Sequence, residues 1–427
     1  MATPAWIGAA TPVADVWTLT LGGTWEVGDI INLTIGTKTW AYTATSTTIA
    51  TITAALDEAW DALSSSAYPE FAEYTATNTA TTVIFTADTA GIPGTISVAT
   101  TETGGGAADA QTASISNTTP GTGPNNWDNA ANWSTGALPV DTDTVSIQNS
   151  AVDILYGLNQ SSIQPTLLAI YSTFTGKIGL PRTNAAGRYP EYRSQYLQIG
   201  PTTTRIGIGA GGGSGRIKID FGSDQTSVEV TGSGQPIETG LESILLKGSH
   251  VDNAITATKG SIGLAVLANE TATWKTIKIG YQTSIPSDVK MRIGSGVTAN
   301  GAGSTLVKEG GELVTSASLL TVTQAAGTMT IDGSATVSSL TNRTGAAVYD
   351  LSTGTITTLD NAGIYDHTRL PKAKTITNCT VRKGHKTLDP SGTITWTNPV
   401  QFVGITQDKA DGEFNFGYNR KLTVADI

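Results

Sequence analysis

Residues 275–310 read KTIKIGYQTSIPSDVKMRIGSGVTANGAGSTLVKEG. Three runs, TIKIG, VKMRIG and TLVKEG, alternate apolar and polar residues and close on glycine. Alternation with period two describes a half-buried strand. IKIG and MRIG lie fourteen residues apart, and the strand around VKEGG follows about fifteen later. Similar runs recur on both sides: LLAIYSTF (167–174), RIKIDF (216–221), SVEVTG (227–232), SILLKG (243–248), TMTIDG (328–333) and GTITTL (354–359). Short strands joined by turns fit a sandwich, a barrel or a β-solenoid. The solenoid is the favoured expectation, in the form of a right-handed parallel β-helix whose turns vary in length while its strands stack. Thr and Ser would then line the outside, Val, Ile and Leu fill the inside, and Gly mark the corners.

A solenoid exposes backbone and apolar side chains at its ends and needs caps. Upstream, residues 125–147 read NNWDNAANWSTGALPVDTDTVSI. Trp127 and Trp133 sit among asparagines, just before the strand begun by Val145 and Ile147. They are expected to lie across the first coil, with Asp141, Asp143 and the Asn side chains satisfying the turn backbone.

The chain divides into four parts on this reading. Residues 1–115 are expected to form an α+β domain that contacts a partner. Its helix is the stretch IATITAALDEAWDALSSS, where Ile49, Ile52, Leu56, Trp60 and Leu63 recur at helical spacing and Thr47 or Thr48 caps the start. The surrounding order is strand, strand, helix, strand, strand, with one helix on a sheet. The Gly-, Ala-, Thr- and Pro-rich run 102–124 reads as a linker, of which 116–124 lies beyond the first domain. Residues 125–395 form the β-helix. Residues 396–427, with Trp396, Phe402, Phe414, Phe416 and Tyr418, read as a terminal hairpin or small meander.

Composition narrows function. Only 14% of the 427 residues are Asp, Glu, Lys or Arg, and the net charge is −10. No Lys/Arg cluster tracks phosphates, so nucleic-acid binding is not expected. No run reaches membrane-spanning length. The opening MATPAWIGAATPVADVW lacks a basic, then apolar, signal, which points to synthesis in a cytosol. One cysteine, Cys379, rules out an intrachain disulfide and reads as a small buried hydrophobe in an alternating strand.

Candidate chemistry is sparse. GAGGGSGR (209–216) lacks the Lys-Ser/Thr and the following helix of a phosphate loop and reads as a Gly-rich turn. Asp141 and Asp143 supply too few oxygens for calcium. His250, His367 and His385 are isolated, so no zinc site is expected. No cofactor is implied. Asp220, Asp224, Glu229 and Glu238 are the carboxylates that a sugar-cleaving pair would draw on. The run RTNAAGRYPEYRSQY (182–196) concentrates Arg182, Arg188, Tyr189, Tyr192, Arg193 and Tyr196. Tyr and Arg dominate interface hot spots, so Arg188, Tyr189, Tyr192, Arg193 and Tyr196 are a candidate subunit contact or receptor loop. An ordinary solvated loop is the alternative.

Two resemblances complete the reading. The Trp-rich stretch 125–147 resembles the opening of large bacterial surface β-helix proteins, such as autotransporter passengers. TLTLGGTWEVGDIINLTIGTKTWAYTATSTTIATITAALDEAW and ITNCTVRKGHKTLDPSGTITWTNPV are similar to tailed-bacteriophage structural proteins. The resemblance implies a non-enzymatic virion component: a trimeric decoration (cement) protein on the capsid exterior, contacting the major capsid protein. The alternatives are a tail fibre or tailspike that binds or cuts host surface glycan, and a bacterial adhesin.

Overall fold

The computed structural model describes residues 2–103, 110–184, 186–280, 288–370, 372–389 and 392–404, and the backbone of 413–415. The fold is mainly β. An antiparallel unit with one helix precedes two long parallel sheets that form a solenoid.

The N-terminal unit contains β1 (Val16–Gly23), β2 (Ile30–Ile35), β3 (Lys38–Thr43), α1 (Ile49–Asp61), β4 (Tyr74–Asn78), β5 (Thr82–Ala87), β6 (Ile96–Thr101) and β7 (Gln111–Thr119). These strands make two antiparallel sheets, ordered β4-β5-β1-β7 and β3-β2-β6. The expected single sheet is therefore split, and Trp60 of α1 fills the space between its halves. Its ring lies 4.3 Å from Phe85 of β5 and 5.8 Å from Trp40 of β3. Ile52 and Leu56 are fully buried beside it, while Ile49 and Leu63 are partly buried. Thr48 takes the N-cap position, but its side chain makes no capping hydrogen bond.

The linker expectation needs correction. β7 occupies Gln111–Thr119 and pairs along nearly all of β1. Its sequence, QTASISNTT, turns Ala113 and Ile115 toward the N-terminal core, and its mostly small side chains masked the period. The domain boundary also moves at the start of the chain. Ala5 bridges Ser146 in parallel and Trp6 bridges Trp133, so residues 2–6 belong to the solenoid's first coil.

Each coil of the solenoid gives one strand to each sheet. Among the described residues the first sheet has twelve strands in order from Thr144–Ile147 to Ile394–Trp396, with Gln401–Val403 as a thirteenth also paired to Lys374–Arg382; the second has twelve, from Asn159–Gln160 to Glu413–Asn415. Every one of the runs quoted above carries a strand. TIKI (276–279) and VKMRI (289–293), however, lie in different sheets. Their fourteen-residue spacing is the step across one coil, not a coil repeat. The repeat appears in the register: Val145 pairs with Leu168, then Thr204, Val228, Ile255, Ile277 and Leu306. It continues through Val322, Leu340, Leu359 and Cys379. Coils thus take 22 to 36 residues as far as Leu306 and 16 to 20 beyond it. The stacked residues of this column are all buried, Cys379 included.

The adjacent inward column changes character. Ile147, Ile170, Ile206, Val230, Ala257 and Ile279 stack in order, and Lys308, Gln324, Asn342 and Asn361 continue the stack. All four polar residues are buried. Their nitrogens satisfy the corners. Lys308 Nζ donates to the Gly311 and Ala326 carbonyls, both at 2.8 Å, and Gln324 Nε2 to those of Gly327 and Ala347, both at 2.9 Å. Asn342 Nδ2 donates to Asn361 Oδ1 and the Ile364 carbonyl. Shorter coils turn more sharply, and these side chains supply donors that the tight corner backbone lacks.

The Gly-rich run 209–216 is a corner. A Cβ on Gly211 would lie 2.2 Å from the Ser172 carbonyl oxygen, and one on Gly207 2.3 Å from the backbone of Gly232. At the C-terminal end, Gln401–Val403 pairs in parallel with Lys374–Arg382, and Glu413–Asn415 with Lys386–Leu388. The described part of that segment therefore continues the solenoid instead of folding as a hairpin. Trp396 and Phe402 pack partly buried on the core; Phe416 and Tyr418 lie outside the described residues.

Candidate functional site

The Tyr/Arg-rich run 182–196 falls in the longest coil, between Leu168 and Thr204. It leaves the solenoid and docks on the N-terminal domain. Arg193 is the centre of this junction. Its guanidinium donates to Glu191 Oε1 at 2.8 Å, to the Pro93 carbonyl at 3.3 Å and to the Tyr189 hydroxyl at 3.0 Å, and pairs with Glu73 at 3.6 Å. The Tyr189 hydroxyl donates to Glu73 Oε1. Burial, then the bond to Glu73, holds the Tyr189 phenol above its usual range, so it stays a donor. Tyr192 lies under Arg193, 4.9 Å from ring centre to guanidinium, and packs against the N-terminal core. It also seats on Gly36, where a Cβ would fall 2.7 Å from the Tyr192 side chain.

Three of the five nominated contact residues thus face a partner within the chain. Tyr196 is buried separately with Leu241 and Leu245, and Lys247 Nζ lies 4.4 Å from its ring centre. Arg188 is exposed at the loop tip, where its backbone N–H donates to Asn184 Oδ1. The acceptors Glu73 and Glu191 were not nominated from sequence. Glu73 sits in EFAEY, where nothing marks it among scattered surface carboxylates.

On the domain side, Asp15 is fully buried and accepts five hydrogen bonds. They come from Trp17 Nε1, the Tyr74 hydroxyl, Asn117 Nδ2 and the backbone of Gly94 and Gly121. It ties β1, β4 and the chain leaving β7 into one frame that presents Glu73 to Arg193.

Trp127 and Trp133 are buried at the start of the solenoid, edge to face at 4.6 Å. A third tryptophan completes the cluster: Trp6 meets Trp133 at 5.3 Å and donates Nε1 to the Val152 carbonyl. Asp143 accepts from the backbone N–H groups of Ala2 and Val140, and Asp141 from that of Gln164. Asn132 joins the same frame, donating to the Gly123 and Asn126 carbonyls and accepting from Ala10. Among the described residues, no three or more His, Cys, Asp or Glu side chains gather as metal ligands.

The structure separates the four carboxylates weighed for sugar chemistry. Asp220 and Asp224 line one cleft of about 230 Å³ with Asn159, Ser161 and Gln198. Asp224 accepts from Gln164 Nε2, and Asp220 pairs with Lys247 at 3.4 Å. Glu229 pairs with Arg205 on the outer face of the first sheet. Glu238 lies against the buried Lys218 ammonium at 3.0 Å and near Arg216 and Arg182. Burial holds Lys218 and Arg216 below their usual ranges, against the opposing pull of Glu238.

No protein-family model matches this chain, and comparison with curated proteins and with solved structures finds no match. No helix among the described residues is long and apolar enough to cross a membrane.

Proposed function

We propose that this chain is a non-enzymatic structural protein of a tailed-phage virion, made in the host cytoplasm and carried on the capsid exterior as a homotrimeric decoration protein bound to the major capsid protein. The observation that carries this reading is the Arg193 junction. It joins an antiparallel domain to a long stacked-strand rod through a buried set of charged and aromatic contacts. A rod with a rigidly mounted head suits a part that spans or braces neighbouring subunits, because each contact in a symmetric shell adds to the stability of the whole. On the outer face of the first sheet Thr276, Thr305, Thr321, Ser339 and Thr358 stack in one uncharged column, a surface for such a rod to lay against a neighbour.

One observation favours a second reading. The cleft lined by Asp220 and Asp224 would suit a glycan-binding fibre or tailspike. Cryo-electron microscopy of particles incubated with the purified chain separates the two. Density over the shell at capsomer junctions is expected for decoration. Density confined to the tail tip, or release of sugar from host polysaccharide, overturns it in favour of the fibre.

A further inference from the structure

We propose that Lys374 and Asp350 condense to an intramolecular isopeptide bond that staples two successive coils near the C-terminal end of the solenoid. Asp350 ends the strand Ala347–Asp350 of the second sheet, and Lys374 begins the strand Lys374–Arg382 of the first. Both side chains are fully buried, with Nζ 2.8 Å from Asp350 Oδ2. The surroundings supply each part that amide formation needs. Tyr365 donates its hydroxyl to Asp350 Oδ2 at 2.6 Å. Ser352 Oγ donates to Asp350 Oδ1 at 2.8 Å and accepts from Lys374 Nζ at 2.7 Å. The serine therefore stands between the nucleophile and one carboxyl oxygen, while the tyrosine holds the other.

The bland reading is a buried ion pair, since Nζ also donates to the Gly354 carbonyl at 2.6 Å and so has three acceptors. Two physical facts favour going further. A buried ion pair is costly to desolvate, so transfer of one proton from ammonium to carboxylate gives a competitive neutral pair. Burial does hold Lys374 below the usual lysine range, against the opposing pull of Asp350. Fixed contact between amine and acid also replaces a bimolecular encounter, with effective molarities on the order of 10⁵ M or more.

The step balances without a co-reactant. A proton from the ammonium moves through Ser352 to Oδ1, leaving an amine and a carboxylic acid. The amine lone pair forms the Nζ–Cγ bond, and the carbonyl electrons move to Oδ2, where the Tyr365 hydroxyl stabilises them. Burial, then Asp350, keeps that phenol well above its usual range and therefore protonated. Nζ gives a second proton to Ser352 as the serine proton passes to Oδ1. The Cγ–Oδ1 bond breaks, Oδ1 leaves as water, and Oδ2 restores the carbonyl. The product closes a covalent loop across one coil, a constraint of the kind a disulfide provides. It stands independently of the virion assignment.

The test is mass spectrometry of the purified full chain, denatured after incubation at 37 °C, a temperature on the order of that at which domains are ordinarily handled. The expected result is a mass lower by one water and a branched peptide joining Lys374 to Asp350. The Lys374→Met chain should show its full sequence mass. Asp350→Asn should condense with loss of ammonia and reach the same final mass as the wild type. Ser352→Ala, folded by circular dichroism, should condense roughly a hundredfold more slowly. A full-length wild-type mass with both residues in separate linear peptides overturns the proposal and leaves an ion pair. So does a loss of water that persists in Lys374→Met. The wild-type peptides decide the matter even where a variant does not fold.

Discussion

Arg193 of the solenoid lies 3.6 Å from Glu73 of the N-terminal domain and 2.8 Å from Glu191 of its own loop, with its side chain only 12% exposed. One guanidinium therefore neutralises two carboxylates from different parts of the chain. Arg193→Ala leaves both without their cation in a partly dry junction, a loss of about 3 kcal/mol. Arg193→Lys should recover only part of it, because an ammonium cannot reach Glu73, Glu191, Pro93 and Tyr189 at once. The expected outcome is a thermal transition that splits in two, with new protease cleavage between β7 and Trp127. A single unshifted transition in Arg193→Ala would mean that the junction contributes nothing to stability.

Trp133 is held between Trp6 and Trp127, and its Nε1 donates to the Trp127 carbonyl at 2.9 Å. Trp133→Ala removes the central ring and leaves a cavity between Trp6 and Trp127 at the start of the solenoid core. The cost should be about 3–5 kcal/mol. Trp6→Ala should cost a similar amount and should also release residues 2–5 to solvent exchange. Denaturant titration with hydrogen exchange at Ser146 checks both. Exchange at Ser146 is informative because its N–H donates to the Pro4 carbonyl.

What the sequence made legible follows from side-chain parity. Ile277 and Ile279 alternate with Thr276 and Lys278, so strand and inward face could be read directly. The coil length could not, because successive runs belong to opposite sheets and one coil swells to hold the loop that carries Arg193. Parity also put Lys308 inside, since Leu306 points in and Val307 out, yet its charge reads as a solvent-facing residue. Lys218 was hidden differently: it stands on the outer parity of its strand but is covered by the loop containing Glu238. The aromatic and arginine content of 182–196 marked an interface. Only the fold could say that its partner is Glu73, because a contact so distant along the chain leaves no local pattern. Trp6 had no alternating strand around it to announce its place beside Trp133.

Cys379 follows Leu359 in an apolar column and is almost wholly buried. Burial, then the Asp360 carboxylate, pushes its thiol up to about 12. A buried protonated thiol is a poor nucleophile. The native chain should therefore be inert to thiol reagents at pH 8, and labelling should follow the unfolding rate. Cys379→Ser should lower stability by roughly 1–3 kcal/mol, since a hydroxyl there would be buried against the apolar Leu359. Rapid labelling under native conditions would show that these last coils open independently of the rest.

Lys308 gives the solenoid a dependence on alkaline pH. Burial, partly offset by Glu312, lowers its ammonium from 10.5 to about 8, while the unfolded chain keeps the ordinary value. Between those two pH values the unfolded state holds the extra proton, so stability must rise with pH across this window. The gain is complete above about 10.5 and is lost as pH falls through about 8. Its full extent is roughly 3 kcal/mol. Lys218 is shifted in the same direction, so the difference from a single variant is the cleaner measurement. Lys308→Gln keeps a donor for the Gly311 and Ala326 carbonyls, as Gln324 does for the next corner, but carries no proton to lose. Urea titrations at several pH values between 7 and 10.5 should show wild-type stability converging on, or crossing, that of Lys308→Gln as the pH rises. Parallel pH profiles for the two chains would mean that Lys308 keeps an ordinary affinity for its proton, and that the corner carbonyls alone compensate its burial.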